Sequence, residues 1–168
     1  MWETQRLEIA NLVAADAPAC VRAFADSDVD KFLGVAEPIS VDDWLTTIAR
    51  WTAGAPNGST DEWLNFSVRL KTPPGLIVGR LQATRHGSWA EVAWVFSRTY
   101  WGHGYATEAG QWLVAHLAER GVLEFVASVD PANVASVALL IRLGFHGADD
   151  PAHRPDSYDD GDLVFVRT

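Results

Sequence analysis

The chain has 168 residues, 48% of them hydrophobic, so it is long enough to bury a core as one domain and needs no staple. Its net charge of −9 excludes a nucleic-acid surface, which needs clustered Lys and Arg, and suits a cationic partner such as an amine or a basic peptide. With Cys20 the one cysteine, no apolar run near the roughly 18 residues of a membrane span, and no signal-peptide layout at the N-terminus, the expected location is cytoplasmic, without membrane or intrachain disulfide.

In chain order, alternation over 6–13 predicts a first strand with Leu7, Ile9 and Leu12 facing inward. Asp16-Ala-Pro18 reads as a helix start, with Asp16 as cap and Pro18 in the first turn. Val21, Phe24 and Ala25 continue its apolar face until Asp26-Ser-Asp28 breaks it, and a short apolar run over 29–33 leads to Gly34. Ser40-Val-Asp-Asp43 is a second cap signal, after which Trp44, Leu45, Ile48 and Trp51 recur at helical spacing. A Gly-, Pro-, Asn- and Ser-rich loop covers 52–61. Strands are predicted over 63–70, 76–84 and 89–96, joined by turns at 72–75 and 85–88, and together they make a meander.

A helix follows over 106–120 and stops at Gly121. The next strand, 123–129, is apolar almost throughout and belongs inside the sheet. Strand, crossover helix and strand then form a parallel, right-handed βαβ unit. Asp130-Pro-Ala-Asn133 opens another helix, which runs to Leu143 with Gly144 at its end. A loop over 148–161 and a strand over 163–167 complete a single mixed α/β domain.

The chemistry concentrates between the meander and the crossover helix, in Ser97-Arg-Thr-Tyr-Trp-Gly-His-Gly-Tyr-Ala-Thr-Glu-Ala109. A strand that ends in glycines and opens a helix exposes N–H groups with no internal partner, at the positive end of the helix dipole. Such a turn suits a phosphate or pyrophosphate. A Walker loop is excluded because no G-K-[ST] follows, and Tyr105-Ala106-Thr107 does not complete a dinucleotide fingerprint.

Trp101-Gly-His-Gly-Tyr-Ala106 resembles the Q/R-x-x-G-x-G/A pyrophosphate loop of the GNAT acyl-CoA N-acetyltransferases. Tyr100 to Ala109 is similar to the RimJ/RimL-type branch. Asn133-Val-Ala-Ser136 with Leu143-Gly144-Phe145 resembles that family's next motif, and Thr4-Gln-Arg-Leu-Glu-Ile9 its first strand. The resemblance implies a GNAT-like α/β fold: a mostly antiparallel twisted sheet with a central parallel βαβ unit and helices on both faces. It implies transfer of an acetyl group from acetyl-CoA to a primary amine, a protein N-terminal α-amine or a small molecule, by direct attack in a ternary complex. The family also suggests a homodimer.

The resemblance places Val95, Phe96, Trp101, Gly102, His103, Gly104, Tyr105, Ala106 and Thr107 around the cofactor, with Asn133 and Ser136 on its pantetheine arm. The family's first two helices wall the acceptor site, which here offers Phe32 and Trp44 beside Glu91. Glu91 is the base candidate, a carboxylate in mid-strand between aromatics, on the same face as Ala93 and Val95. Ser136 is the other catalytic candidate, because the position of the family's usual acid Tyr is Leu140. That substitution keeps a second reading open, an acyl-CoA sensor or scaffold without turnover. Trp101 departs from the Gln or Arg at the head of the loop. Glu108 reads as a structural carboxylate in the first helical turn. Arg98 and Arg142 are further candidates for phosphate neutralisation. The acidic segment at 149–150 and 156–162 could attract a cationic acceptor, and the histidines and Cys20 show no metal-ligand spacing.

Overall fold

The computed structural model describes residues 1–25, 32, 38–56 and 58–168. Apart from Phe32, the apolar run at 29–33 and the Asp26-Ser-Asp28 break lie outside the described residues.

The described strands are β1 (Trp2–Glu3), β2 (Leu7–Asn11), β3 (Glu62–Leu70), β4 (Ile77–His86), β5 (Trp89–Phe96), β6 (Glu124–Val129), β7 (His146–Gly147) and β8 (Leu163–Arg167). They form one sheet in the order β1-β2-β3-β4-β5-β6-β8-β7. Every neighbouring pair is antiparallel except β5 and β6. The helices are α1 (Ala17–Phe24), α2 (Val41–Thr52), α3 (Tyr105–Glu119) and α4 (Val134–Arg142). Among the described residues, no helix is long and apolar enough to cross a membrane. The meander and the parallel βαβ unit are as the sequence predicts. The two-residue strands β1 and β7 are additions, too short for any periodicity to announce them.

Two cores lie on opposite faces of the sheet. On one, Leu7, Ile9, Phe66, Val68, Leu81, Val92 and Phe96 meet Leu113 and Leu117 of α3, Leu139 and Leu140 of α4, and Leu143 at its C-cap. On the other, Leu12, Ile77 and Val95 meet Cys20 and Phe24 of α1 and Trp44 and Ile48 of α2. Gly110 lets α3 and α4 approach closely, since a Cβ there would stand 2.7 Å from Leu143 Cδ1.

The two cap signals behave differently. Ser40 closes a capping box with Asp43, its Oγ accepting the Asp43 N–H at 3.1 Å. Asp16 precedes α1 but its carboxylate does not cap it. The carboxylate turns back to accept the Val13 N–H at 3.1 Å and pairs with Arg69 at 2.5 Å. Only 7% exposed, it gains more from a guanidinium than from a backbone amide.

Candidate active site

The parallel register between β5 and β6 ends at Glu91 opposite Val126. Beyond it the strands separate, and residues 92–96 and 127–129 become opposite walls of an open cleft of about 1680 Å³. That exceeds the roughly 300–1,000 Å³ of a typical small-molecule site and leaves room for two reactants. Gly102 and residues 104–107 of the glycine turn, with Asn133 and Ser136 at the head of α4, also line it.

The turn has the geometry an anion needs. Gly102 and Gly104 both lie at φ 78°, in the left-handed region, and Gly104 is the N-cap of α3. Among the described residues, no acceptor takes the N–H groups of Gly102, His103, Gly104, Tyr105, Ala106 or Thr107. The next amide, Glu108 N–H, already donates to the Gly104 carbonyl at 3.1 Å. Open amides at a helix N-terminus hold an oxyanion without further side chains.

Trp101 explains how the loop tolerates the loss of Gln or Arg at its head. Its Nε1–H donates to the Phe96 carbonyl at 2.7 Å and ties the loop to the end of β5.

Arg6 has no counterpart in the sequence reading beyond its place in the first strand. Its Nε donates to Glu108 Oε2 at 2.7 Å, its Nη1 donates to the His103 carbonyl at 2.8 Å, and its guanidinium lies 4.7 Å from the Tyr105 ring centre. Glu108 also accepts the Arg6 N–H at 2.7 Å and the Thr4 hydroxyl at 2.5 Å. Burial pushes the Glu108 carboxyl up, but the Thr4 and Arg6 hydrogen bonds outweigh it and hold the group below its ordinary value. So Glu108 is structural, as expected, but its main partners are the residues before β2 rather than the helix dipole. They lie more than 100 positions away, which no spacing in the sequence could indicate.

Of the expected cofactor residues, Val95, Phe96, Trp101, Gly102, Gly104, Tyr105, Ala106, Thr107, Asn133 and Ser136 all line the cleft. His103 does not. Its Nδ1 lies 2.9 Å from the Trp101 carbonyl and its ring stacks on Tyr105, so it braces the turn from outside. Asn133 caps α4, its Oδ1 accepting the Ser136 N–H at 3.1 Å. Arg142 reaches the cleft beside Thr107, 3.5 Å from its hydroxyl, whereas Arg98 is not among the lining residues.

The acceptor expectations need two corrections. Phe32 lines the cleft. Trp44 does not: it is 0% exposed, packed on Phe24 and Trp51, with its Nε1–H unpartnered among the described residues. Its helical spacing marks the core face of α2, and Thr47, Arg50 and Trp51 are what α2 presents to the cleft. Glu91 shares a face with Ala93 and Val95, but it lies where the strands are still paired and does not line the cleft. It is 8% exposed, and its Oε2 accepts the Asp156 N–H at 2.9 Å. The cleft's own carboxylates on that side come from the acidic segment, Asp159, Asp160 and Asp162, beside Ser157.

Known proteins share this architecture. The chain resembles Mycobacterium smegmatis RimJ in complex with CoA-disulfide at a TM-score of 0.77 and 22% identity, covering 96% of this chain and 81% of that one. A RimL ribosomal L7/L12 α-N-protein acetyltransferase, solved with coenzyme A, matches at a TM-score of 0.79 and 18% identity over 98% of this chain and 94% of that one. Of two curated relatives, the chain covers 60% of the length of one. It covers 80% of the other, an uncharacterized N-acetyltransferase, p20, from Bacillus licheniformis, which is 25% identical over 145 residues. The Acetyltransferase (GNAT) domain family matches residues 6–146, a span that holds the divergent parallel strands and the open glycine turn, and the chain belongs to the GNAT acetyltransferase family.

Proposed function

We propose that the protein transfers an acetyl group from acetyl-CoA to a primary amine by direct attack in a ternary complex, as a RimJ/RimL-like N-acetyltransferase. The observation that carries this reading is the row of uncommitted N–H groups at 102–107 on the wall of a cleft between diverging strands. They suit the CoA diphosphate, with Arg6 and Arg142 nearby as cations. The pantetheine arm runs along the open edge of β5 at Val95 and Phe96, and Asn133 and Ser136 flank its far end.

The amine enters on the side walled by Phe32, Trp51 and the acidic segment. Its lone pair attacks the thioester carbonyl carbon, the tetrahedral intermediate expels the CoA thiolate, and the amine loses a proton. Thioesters are already activated, so positioning supplies most of the rate. At pH 7, freeing a peptide α-amine of its proton costs roughly 1 kcal/mol, against 4–5 kcal/mol for a lysine-like amine. Since Glu91 stands outside the cleft, the proton leaves through water beside Asp159, Asp160 and Asp162, and an α-amine or weakly basic amine is the acceptor that needs no stronger base. With Leu140 in place of the family's acid Tyr, Ser136 or water protonates the thiolate.

The test is release of free thiol from acetyl-CoA with a panel of peptide α-amines and small amines, alongside calorimetry with acetyl-CoA. Saturable binding with turnover on at least one amine is expected. Saturable binding with no turnover would favour the sensor reading, which the Leu140 position keeps open, and no binding at millimolar acetyl-CoA would remove both.

A further inference from the structure

The strongest feature outside the cleft is a cluster at the closed end of the β4–β5 hairpin. His86, Glu91 and Asp156 each point one ligand atom at the others, and these atoms all lie within 4.8 Å of one another. His86 Nδ1 is 2.8 Å from Asp61 Oδ1. The Ser59 hydroxyl donates to the other oxygen, Asp61 Oδ2, at 2.7 Å, so both Asp61 oxygens are engaged. The other nitrogen, His86 Nε2, is buried and unpartnered among the described residues. Asp61 engages Nδ1, which leaves the buried Nε2 as the ring nitrogen available beside Glu91 and Asp156. A buried polar atom without a partner is costly.

The surroundings hold the ring still. Trp89 stacks on His86 at 4.0 Å and on His153 at 4.4 Å, and His153 Nδ1 lies 2.7 Å from Glu124. Glu91 spends only Oε2 on the Asp156 N–H, which leaves Oε1 for a ligand. A carboxylate on the far nitrogen of an imidazole is the arrangement that orients metal-bound histidines.

We propose that His86 Nε2, Glu91 and Asp156 form a binding site for a divalent transition-metal ion of the zinc type, with Asp61 orienting the histidine. One imidazole and two carboxylates match the donor set zinc takes, and they neutralise its charge. Two N/O ligand atoms on one tetrahedral zinc are about 3.4 Å apart, so the exposed Asp156 side chain closes on the ion by up to about 1.4 Å on binding. The ion fastens residues 153–162 to the sheet, and the same segment carries Ser157 and Asp159 to Asp162 into the cleft. Metal occupancy therefore fixes one wall of the acceptor side.

The experiment titrates ZnCl2 into untagged, chelator-treated full-length protein by calorimetry, and follows amide hydrogen exchange with and without zinc. One equivalent should bind saturably and slow exchange across 153–162. His86→Ala should abolish binding, and Asp156→Asn, a surface change that leaves the fold intact, should weaken it roughly 10- to 100-fold. Calorimetry with acetyl-CoA verifies that each variant is folded. No saturable heat at 100-fold excess zinc, equal affinity in Asp156→Asn, or binding without protection of 153–162 would overturn the proposal.

Discussion

At the scale of single residues, two carboxylates show how environment decides role. If Glu91 were the general base, Glu91→Gln would cost roughly 10²–10⁴-fold in kcat. Its place outside the cleft predicts a loss well below that range, measured as steady-state kcat on the best amine. Glu108 is the more demanding position. Its carboxylate accepts from Thr4 and twice from Arg6, so Glu108→Ala should destabilise the fold by about 1–3 kcal/mol in urea unfolding. The pH dependence has a definite sign. A carboxyl held below its unfolded value of 4.5 contributes its stability fully above that pH and loses it as pH falls through the folded value. Glu108→Gln should therefore flatten stability against pH below 4.5, while wild type declines there.

At the scale of elements, α3 sets both the core and the turn that precedes it. Gly104 sits at φ 78°, where an L side chain costs about 1–2 kcal/mol. An added Cβ there would meet only Arg6 Nη2, at 3.5 Å, so Gly104→Ala acts through the backbone of the turn. The expected outcome is a weaker acetyl-CoA affinity by calorimetry with a modest change in unfolding midpoint. Gly110 behaves oppositely, since its missing side chain leaves room for Leu143 at the C-cap of α4. Gly110→Ala should cost about 1–3 kcal/mol in stability and leave the affinity of the folded protein for acetyl-CoA near wild type. An equal loss of affinity in both variants would contradict this division of labour between turn and helix interface.

At the scale of the whole molecule, His116 couples pH to the packing of the N-terminus on α3. Its ring stacks on Trp112 at 4.8 Å and meets Trp2 and Phe66. Burial, helped by Arg120, pushes its pKa below 6.5. A histidine depressed in the fold contributes its stability fully above the unfolded value and loses it as protons bind at lower pH. The urea midpoint should begin to fall as pH drops below 6.5, and His116→Gln should remove that part of the decline.

Much of this was legible in the sequence, because it depends on local pattern. Strand runs bounded by turns marked β3, β4 and β5, the cap signal at Ser40 marked α2, and the pair Gly102 and Gly104 before a helix-like run marked an anion-ready helix start. These features are determined within a few residues by sterics and hydrogen bonding, so the sequence by itself determined the fold class and the open glycine turn of the cleft. What only the tertiary structure decided depends on contacts between distant segments. Whether Glu91 lines the cleft turned on where β5 and β6 part company, one register position beyond it. Whether Trp44 lines a wall or fills a core turned on how α2 lies on the sheet. The bracing of the glycine turn by Arg6 and the meeting of His86, Glu91 and Asp156 join residues far apart along the chain, and only packing brings such groups within the few ångströms at which charge and hydrogen bonding act.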